Sequence, residues 1–270
     1  MDESKKSNLV HRTITGGLLG AIVLITLYLG GAWWHLVGTV IAILSLWEYY
    51  SLLRQVRPFP MIVGLICGLY ILLTAHWRQW GMNVSVLVIA TFLVFVIEMW
   101  KRERCGTSDG AENAGLVVSG LTYIIIPWTL MIYLRTTPFG HLATLTLFLC
   151  TWSCDVFAYL VGMLWGKHRP FCSVSPKKSL EGFAGGFVAS LLCSVLISAI
   201  LKAQPLPFLI IGLICGSIGQ LGDLTESLVK REMGAKDSGV LLPGHGGFLD
   251  RFDSILASGS LVALIWGYLV

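Results

Sequence analysis

The chain has 270 residues, of which 55% are hydrophobic and only 13% are charged, and its mean hydropathy is +0.77. This composition is too apolar for a soluble domain of ordinary type, and it predicts an all-α integral membrane protein. The net charge of +4 does not call for a nucleic-acid partner, because membrane proteins normally carry excess Lys and Arg on their cytoplasmic side.

Apolar runs long enough to cross a bilayer recur along the whole chain. A spanning helix needs roughly 20 mainly apolar residues, because the bilayer core offers no water to free backbone amides. The first run follows Lys5, Lys6 and Arg12 without a convincing small-residue cleavage site, so we interpret it as a retained span. We predict nine transmembrane helices, at residues 14–31, 32–53, 60–77, 84–100, 114–134, 139–165, 182–201, 205–228 and 254–270.

The distribution of positive charge predicts the orientation of the chain. Nine spans place the two termini on opposite sides of the membrane. All but three of the 19 Lys and Arg residues then share the side of the N-terminus, the exceptions being Arg78, Arg135 and Lys202. Because Lys and Arg accumulate in cytoplasmic loops, we expect a cytoplasmic N-terminus and a C-terminus on the opposite side. In a bacterium the expected location is the inner (plasma) membrane.

Two long connections fall on the predicted cytoplasmic side, at residues 166–181 and 229–253. They contain most of the clustered charged residues and glycines, whereas the opposite side has no acidic residue. We therefore divide the chain into a scaffold of transmembrane helices with lipid contacts, residues 1–135, and a catalytic region, residues 136–270, that contains both loops.

The end of the eighth span carries the first group of candidate site residues. Helical spacing puts Asp223, Glu226, Ser227 and Lys230 on one face. For Glu226 and Lys230, a solvated ion pair one helical turn apart is an equally good interpretation. Asp223 lies just inside the apolar run, where ionisable side chains usually face a cavity and serve function.

The loop that follows is rich in glycine and ends in two aspartates. Gly244, Gly246 and Gly247 allow backbone amides to approach an anion closely. Asp250 and Asp253 lie near the start of the last span and could bind a divalent cation or cap the helix, and capping is the better interpretation for Asp253. His245 between the glycines could be a general base, but a loop-ordering hydrogen bond or a phosphate contact is the better interpretation.

Asp223 and Asp250 flank this loop, so antiparallel spans can bring their carboxylates together. Mg²⁺ favours one or two carboxylates combined with phosphate oxygens of a substrate, which suits a nucleoside triphosphate. The Lys and Arg residues around the pair would neutralise the remaining phosphate charge.

The other long loop contains Ser175, Lys177, Lys178 and Glu181 and enters a helix rich in small residues, which we expect to pack closely against a neighbour. The basic pair could bind an anion at the helix start or only contact lipid headgroups. In the sixth span Asp155 points into the bundle. Near other span ends, Glu48 and Glu98 are expected to extend to the membrane interface.

These residues resemble the phosphatidate cytidylyltransferase (CDP-diacylglycerol synthase) family. The family signature matches residues 227–253 without a gap, including Ser227, Lys230-Arg231, Lys236-Asp237 and the Pro243–Asp253 run. Residues 155–162 and 175–182 also look like the family. Ser179 and Leu180 depart from it, since a threonine and an aromatic residue are usual there. The first 135 residues resemble the family only in being hydrophobic.

The resemblance implies a reaction in which a phosphatidic acid phosphate oxygen attacks the α-phosphorus of CTP, giving CDP-diacylglycerol and pyrophosphate. It also implies a magnesium requirement, a second cation such as K⁺, and a homodimer. We assign Asp223, Asp250, Lys178 and Asp237 to catalysis, with Asp223 and Asp250 as the metal ligands. The residues assigned to substrate binding are Asp155, Ser175, Lys177, Lys178, Glu181, Ser227, Lys230, Arg231, Lys236, His245, Gly246, Gly247 and Arg251.

Other functions stay open at this point. A different membrane transferase that uses CTP, acting on an ether lipid or a polyprenol, is the nearest alternative. A transporter is the main alternative of another class, since Asp155 and Asp223 could line a path through the membrane. The concentration of charge on one face argues against alternating access, which needs gates on both sides.

Overall fold

The computed structural model describes residues 3–53, 58–75, 80–170, 172–242 and 246–269, and its only β structure within these ranges is two isolated bridges. Each predicted span corresponds to one continuous helix in the described part of the chain. The helices are α1 (Glu3–Leu29), α2 (Gly31–Leu52), α3 (Pro58–Leu73), α4 (Trp80–Cys105), α5 (Gly110–Leu134), α6 (Gly140–Trp165), α7 (Leu180–Leu201), α8 (Pro205–Glu232) and α9 (Leu249–Leu269).

Six of these helices, α4 to α9, are long and apolar enough to cross a membrane, by length and composition. The apolar part of α1, Thr15–Leu29, and the whole of α3 are apolar but shorter. The multi-spanning all-α architecture is therefore confirmed for the described residues. The count of nine spans and the sides of the two termini stay predictions, as does the division into regions 1–135 and 136–270.

Two helices extend further into the predicted loop 229–253 than we expected. α8 continues to Glu232, and α9 begins at Leu249 instead of residue 254. Ion pairs support both ends, because Lys230 in the last turn of α8 contacts Glu226 one turn earlier and Asp250 in the first turn of α9. The connection between the helices is therefore shortened to residues 233–248.

Two of the long helices contain a π-helical turn, Leu121–Ile125 in α5 and Cys215–Gly219 in α8. A π turn inserts one residue and changes the direction in which the following side chains point. In α8 the side-chain amide of Gln220 donates to the carbonyl of Gly216 within this turn and to Phe183 of α7. The turn thus directly precedes the polar end of α8.

The core of the N-terminal helices is built around Tyr50 of α2, which is 1% exposed. Its ring lies against Gly64 of α3 and Gly120 of α5, where even a methyl group would collide with it. Its hydroxyl donates to the carbonyl of Val117 at 2.8 Å. A large ring facing two glycines allows the three helices to approach closely, as in membrane helix packing generally.

Helices α6 and α7 pack through small residues, which confirms the close packing predicted for α7. An added Cβ at Gly182 would lie 2.7 Å from the carbonyl oxygen of Ala158, and one at Gly186 would lie 2.8 Å from that of Cys154. Gly162 on α6 faces Gly182 directly. This contact holds the end of α6 and the start of α7 together at the candidate site.

The interfacial positions predicted for Glu48 and Glu98 are wrong. Glu98 is 2% exposed and accepts hydrogen bonds from Lys101, from the backbone of Asp109 and from the amide of Asn113. Glu48 is 1% exposed and faces the start of α9. Both carboxylates are buried, and other parts of the chain supply donors to Glu98 and to Oε2 of Glu48 in place of water.

Candidate functional site

A large cavity opens at one end of the bundle, where α6 and α8 end and α7 and α9 begin. Its volume is about 790 Å³, within the range of small-molecule sites. The charged side chains that line it are Asp155, Arg169, Lys177, Lys178, Asp223, Lys230, Asp237, Asp250, Arg251 and Asp253. Eight of these residues were assigned to the site from the sequence, and the structure brings them together. The other two are Arg169 and Asp253.

A salt bridge between Lys178 and Asp223 crosses this cavity. It joins the loop that precedes α7 to the polar end of α8. The Lys178 ammonium lies 2.6 Å from Oδ2 of Asp223, and both side chains are about one-third exposed. The other oxygen of Asp223, Oδ1, lies 3.5 Å from the Ser227 hydroxyl, a long contact. Asp223 therefore keeps acceptor capacity toward the cavity, since an ionised carboxylate offers about four lone-pair positions.

Asp250 is held much more completely than Asp223. Its Oδ1 accepts from Lys230 at 2.7 Å. Its Oδ2 accepts from the backbone N–H and hydroxyl of Ser238, each at 2.9 Å, and from the N–H of Gly247 at 2.8 Å. The carboxylate thus fixes both sides of the 233–248 connection at the start of α9.

The predicted polar face of α8 is confirmed, but the interpretation of Glu226 and Lys230 as a solvated pair is wrong. The two side chains are 1% and 11% exposed, and the lysine lies between Glu226 and Asp250. A buried lysine between two carboxylates is stable only as part of such a network. It joins α8 to α9 directly beneath the cavity.

Asp253 does not cap the last helix. Because α9 begins at Leu249, Asp253 lies in the second turn and lines the cavity instead. It is close enough to Asp155 and Asp223 for the three carboxyl groups to interact electrostatically. One side of the cavity is therefore acidic. The sequence predicts Asp155 and Asp223 in the site but not Asp253, because the predicted start of the last helix, residue 254, is five residues too late.

The loop before α7 is ordered by local hydrogen bonds. Ser179 caps α7 by accepting from the N–H of Gly182 at 3.1 Å, as N-cap residues do. Glu181 accepts from the backbone and ring of His168, the ring contact being 2.5 Å. Arg169, which the sequence did not single out, donates to the carbonyl of Gly162 and lines the cavity.

Several assigned residues lie outside the cavity lining. Glu181 serves the loop contact just described, and Ser175 lies in a turn closed by its bonds with Cys172 and Lys178. Arg231 donates to the carbonyls of Val174 and Ala235, which ties the end of α8 to the other loop. The other assigned residues that lie outside the cavity lining are Ser227, Lys236, Gly246 and Gly247. His245, Pro243 and Gly244 lie outside the described residues.

The sequence missed Glu48, which supports the site from the N-terminal half of the chain. Its Oε2 accepts from the backbone N–H of Leu249 at 3.0 Å, and its carboxylate lies against Gly239 and Gly247. A negative charge at a helix N-terminus is favourable because it meets unpaired N–H groups and the positive end of the dipole. No periodicity in the sequence could link residues so far apart.

Asp223 and Asp250, the carboxylates predicted to hold a metal ion, both line the cavity. Among the described residues, no group of three or more His, Cys, Asp or Glu side chains could hold a metal ion. However, Asp223 and Asp250, the predicted ligands, each contact a lysine ammonium group at 2.6 and 2.7 Å. Both carboxylates therefore occupy positions where a positive charge is already favourable.

These features define a class of protein. It is a multi-spanning helical membrane protein, with a mixed acidic and basic cavity at one end of the bundle that suits a phosphorylated ligand.

Comparison with known proteins places the chain within this class. The sequence model of the cytidylyltransferase family matches residues 10–269. A phosphatidate cytidylyltransferase of Staphylococcus haemolyticus is 32% identical over 250 residues, which cover 91% of this chain and 94% of the relative. Proteins of the same name from Staphylococcus aureus and Staphylococcus epidermidis are 32% and 31% identical, with the same coverage. The chain belongs to the cytidylyltransferase family.

Proposed function

We propose that this protein transfers the cytidylyl group of CTP to phosphatidic acid, giving CDP-diacylglycerol and pyrophosphate. Membership in the family and the names of the staphylococcal relatives support this reaction. The observation that carries the proposal is the contact between Lys178 and Asp223 inside a charged cavity at the end of membrane-spanning helices. Such a place gives a lipid phosphate and a water-soluble nucleotide access to the same site.

The reaction requires charge stabilisation and positioning more than acid–base chemistry. The phosphomonoester of phosphatidic acid is already anionic, and one of its oxygens forms the new bond to the α-phosphorus of CTP. The bond from that phosphorus to the oxygen bridging to the β-phosphorus breaks, and pyrophosphate leaves with that electron pair. Arg169, Lys177, Lys178 and Arg251 line the cavity and would bind these phosphate oxygens.

Asp223 and Asp250 are the residues proposed to hold Mg²⁺, which when bound would neutralise charge on the triphosphate and the leaving pyrophosphate. Asp223 retains acceptor capacity for this role. Asp250 would offer Oδ1 to the cation, the oxygen that now accepts from Lys230, while Oδ2 keeps its bonds to Ser238 and Gly247. Asp253 and Asp155 add negative charge on the same side of the cavity.

The remaining assignments belong to the same proposal. We place the cavity on the cytoplasmic face, because most of the positive charge of the chain lies at that end of the predicted topology. We also propose that the protein lies in the bacterial inner membrane, forms a homodimer and binds a second cation such as K⁺.

Pyrophosphate release by the purified full-length protein tests the function. The protein in detergent receives phosphatidic acid, Mg²⁺ and each of the four ribonucleoside triphosphates in turn. We expect release with CTP only, dependent on the lipid and lost in Asp250→Asn. Release that does not depend on lipid would overturn the proposal, and so would the absence of release with all four triphosphates by protein shown to be folded. A direct comparison of diacyl and ether-linked substrates then identifies the lipid class.

A further inference from the structure

A second cavity lies at the other end of the bundle. We call it the far cavity, and its volume is about 490 Å³. Its lining comprises Gly31, Ala32, Trp34, His35, Ile132, Arg135, Thr136, Thr137 and His141. Helix α6 runs from His141 at the far cavity to Gly162 at the catalytic cavity, and a rise of 1.5 Å per residue separates the two by about 30 Å. The two cavities are therefore distinct sites near opposite membrane faces.

Arg135 supplies the positive charge of the far cavity. Its Nε donates to the carbonyl of Leu27 in the last turn of α1 at 3.0 Å. Its guanidinium group lies over Gly30, where an added Cβ would be 2.5 Å from an Nη atom, and Gly30 has φ +66°. The side chain thus has a fixed place at the rim, and the rest of its planar fork makes no hydrogen bond with the described residues. Such a fork suits phosphate oxygens.

Trp34 supplies a second donor that has no acceptor. The residue is 2% exposed, and its ring packs edge-on against Phe148 with the ring centroids 6.1 Å apart. The indole N–H has no hydrogen-bond partner in the described part of the chain, although Trp34 lines the far cavity. Buried donors are normally paired, so this unpaired N–H, in a residue that lines the cavity, is available to a ligand with an acceptor atom.

Among the described residues that line the far cavity, no Asp or Glu balances the charge of Arg135. The described connections at this end of the bundle, residues 30–31, 135–139 and 202–204, contain no Asp or Glu. The hydroxyls of Thr136 and Thr137 donate to backbone carbonyls, and His35 contacts the carbonyl of Leu72 through Nε2 at 2.8 Å. The donors left for a ligand include the guanidinium fork and the indole N–H, both of which suit an oxyanion, and the ring of His141 also lines the cavity.

We propose that the far cavity binds a phosphate group, through Arg135 and the indole N–H of Trp34. Two sources share this chemistry, the headgroup of an anionic phospholipid and free inorganic phosphate. The site does not depend on the proposed catalytic function, because none of its lining residues contributes to the catalytic cavity.

A structural role of Arg135 makes a different prediction. The guanidinium group also compensates the carbonyl end of α1, as basic side chains at helix C-termini do. If that were its whole role, removing the charge would lower thermal stability equally with and without phosphate. The test must therefore measure the dependence of stability on the ligand, not stability alone.

The experiment measures thermal unfolding of the full-length protein in lipid nanodiscs. One arm adds inorganic phosphate to phosphatidylcholine nanodiscs, and the other replaces part of the phosphatidylcholine with phosphatidylglycerol in phosphate-free buffer. We expect a rise in Tm of a few degrees in at least one arm. A rise with phosphate alone identifies a free anion, and a rise with phosphatidylglycerol alone identifies a lipid headgroup.

Three variants test whether the rise in Tm comes from binding at the far cavity. Arg135→Gln should abolish it, and Trp34→Phe, which removes only the N–H, should weaken the apparent affinity for the effective probe about tenfold. Lys178→Gln, in the catalytic cavity, should keep the rise. Pyrophosphate release by the Arg135 and Trp34 variants shows that they are folded. No rise in either arm, or a rise that persists in Arg135→Gln, would overturn the proposal.

Discussion

The carboxylate of Glu48 accepts a hydrogen bond from the backbone N–H of Leu249, 201 residues later in the chain, at 3.0 Å. It joins α2 to the first turn of α9, beside Asp250. The same carboxylate lies against Gly239 and Gly247, on both sides of the connection between α8 and α9. A helix from the N-terminal half of the chain therefore helps to position the connection between α8 and α9.

Replacing Glu48 by Ala should impair catalysis through the position of Asp250. The buried N–H of Leu249 would lose its acceptor, a loss that costs about 1–3 kcal/mol. We expect kcat to fall about tenfold, while Glu48→Gln, which keeps an acceptor oxygen, restores most of it. Pyrophosphate release and thermal unfolding measure the two effects.

Glu98 provides the matched control, because it is equally buried but bonds to α4, α5 and their connection instead of α9. Glu98→Ala should lower thermal stability without a selective fall in kcat. If Glu48→Ala and Glu98→Ala changed kcat and stability in the same proportion, Glu48 would have only a structural role.

Replacing Asp223 by Asn should lower kcat/KM by about 10²-fold or more and raise the Mg²⁺ concentration needed for half-maximal rate. The amide keeps the size of the side chain but loses the charge that holds Lys178 and is proposed to hold the metal. Glu232→Gln, an exposed carboxylate on the same helix, should leave both quantities unchanged. An Asp223→Asn protein with a normal rate at limiting Mg²⁺ would remove Asp223 from the metal site.

Replacing Lys178 by Gln should act on nucleotide binding. Its ammonium group lies in the cavity beside Asp223, so its loss should raise KM for CTP about tenfold or more. Lys178→Arg should recover part of the affinity, because the charge is kept. Lys167→Gln tests the effect of charge alone, since Lys167 is exposed and outside the cavity lining. Equal changes in KM for Lys167→Gln and Lys178→Gln would contradict a direct contact with the nucleotide.

The sequence could predict the parts of the site that depend on spacing within one helix. Asp223 and Lys230 follow from helical periodicity, and the two loops were expected on one membrane face. The direct contact between Lys178 and Asp223 was not predicted, because it depends on how the helices pack. Glu48 could not be found in this way, because its partner is fixed only by tertiary packing. Arg231 was assigned to phosphate because of its charge, but its actual acceptors are backbone carbonyls whose positions depend on loop conformation.

Replacing Gly182 by Ala tests the contact that holds α6 and α7 together at the cavity. The new methyl group would lie 2.7 Å from the backbone carbonyl oxygen of Ala158, which cannot move without shifting α6. Overpacking of this kind costs about 1–3 kcal/mol, so thermal stability should fall. The rate should fall as well, because Lys178 and Ser179 precede the displaced start of α7.

Gly115→Ala is the control for this substitution, since an added Cβ at Gly115 in α5 meets nothing within 4 Å. There the exchange should be neutral or slightly stabilising, because alanine favours helix more than glycine does. Thermal unfolding in nanodiscs and pyrophosphate release measure both variants. If Gly182→Ala were as stable and as active as Gly115→Ala, the close approach of α6 and α7 would not be needed to position the site.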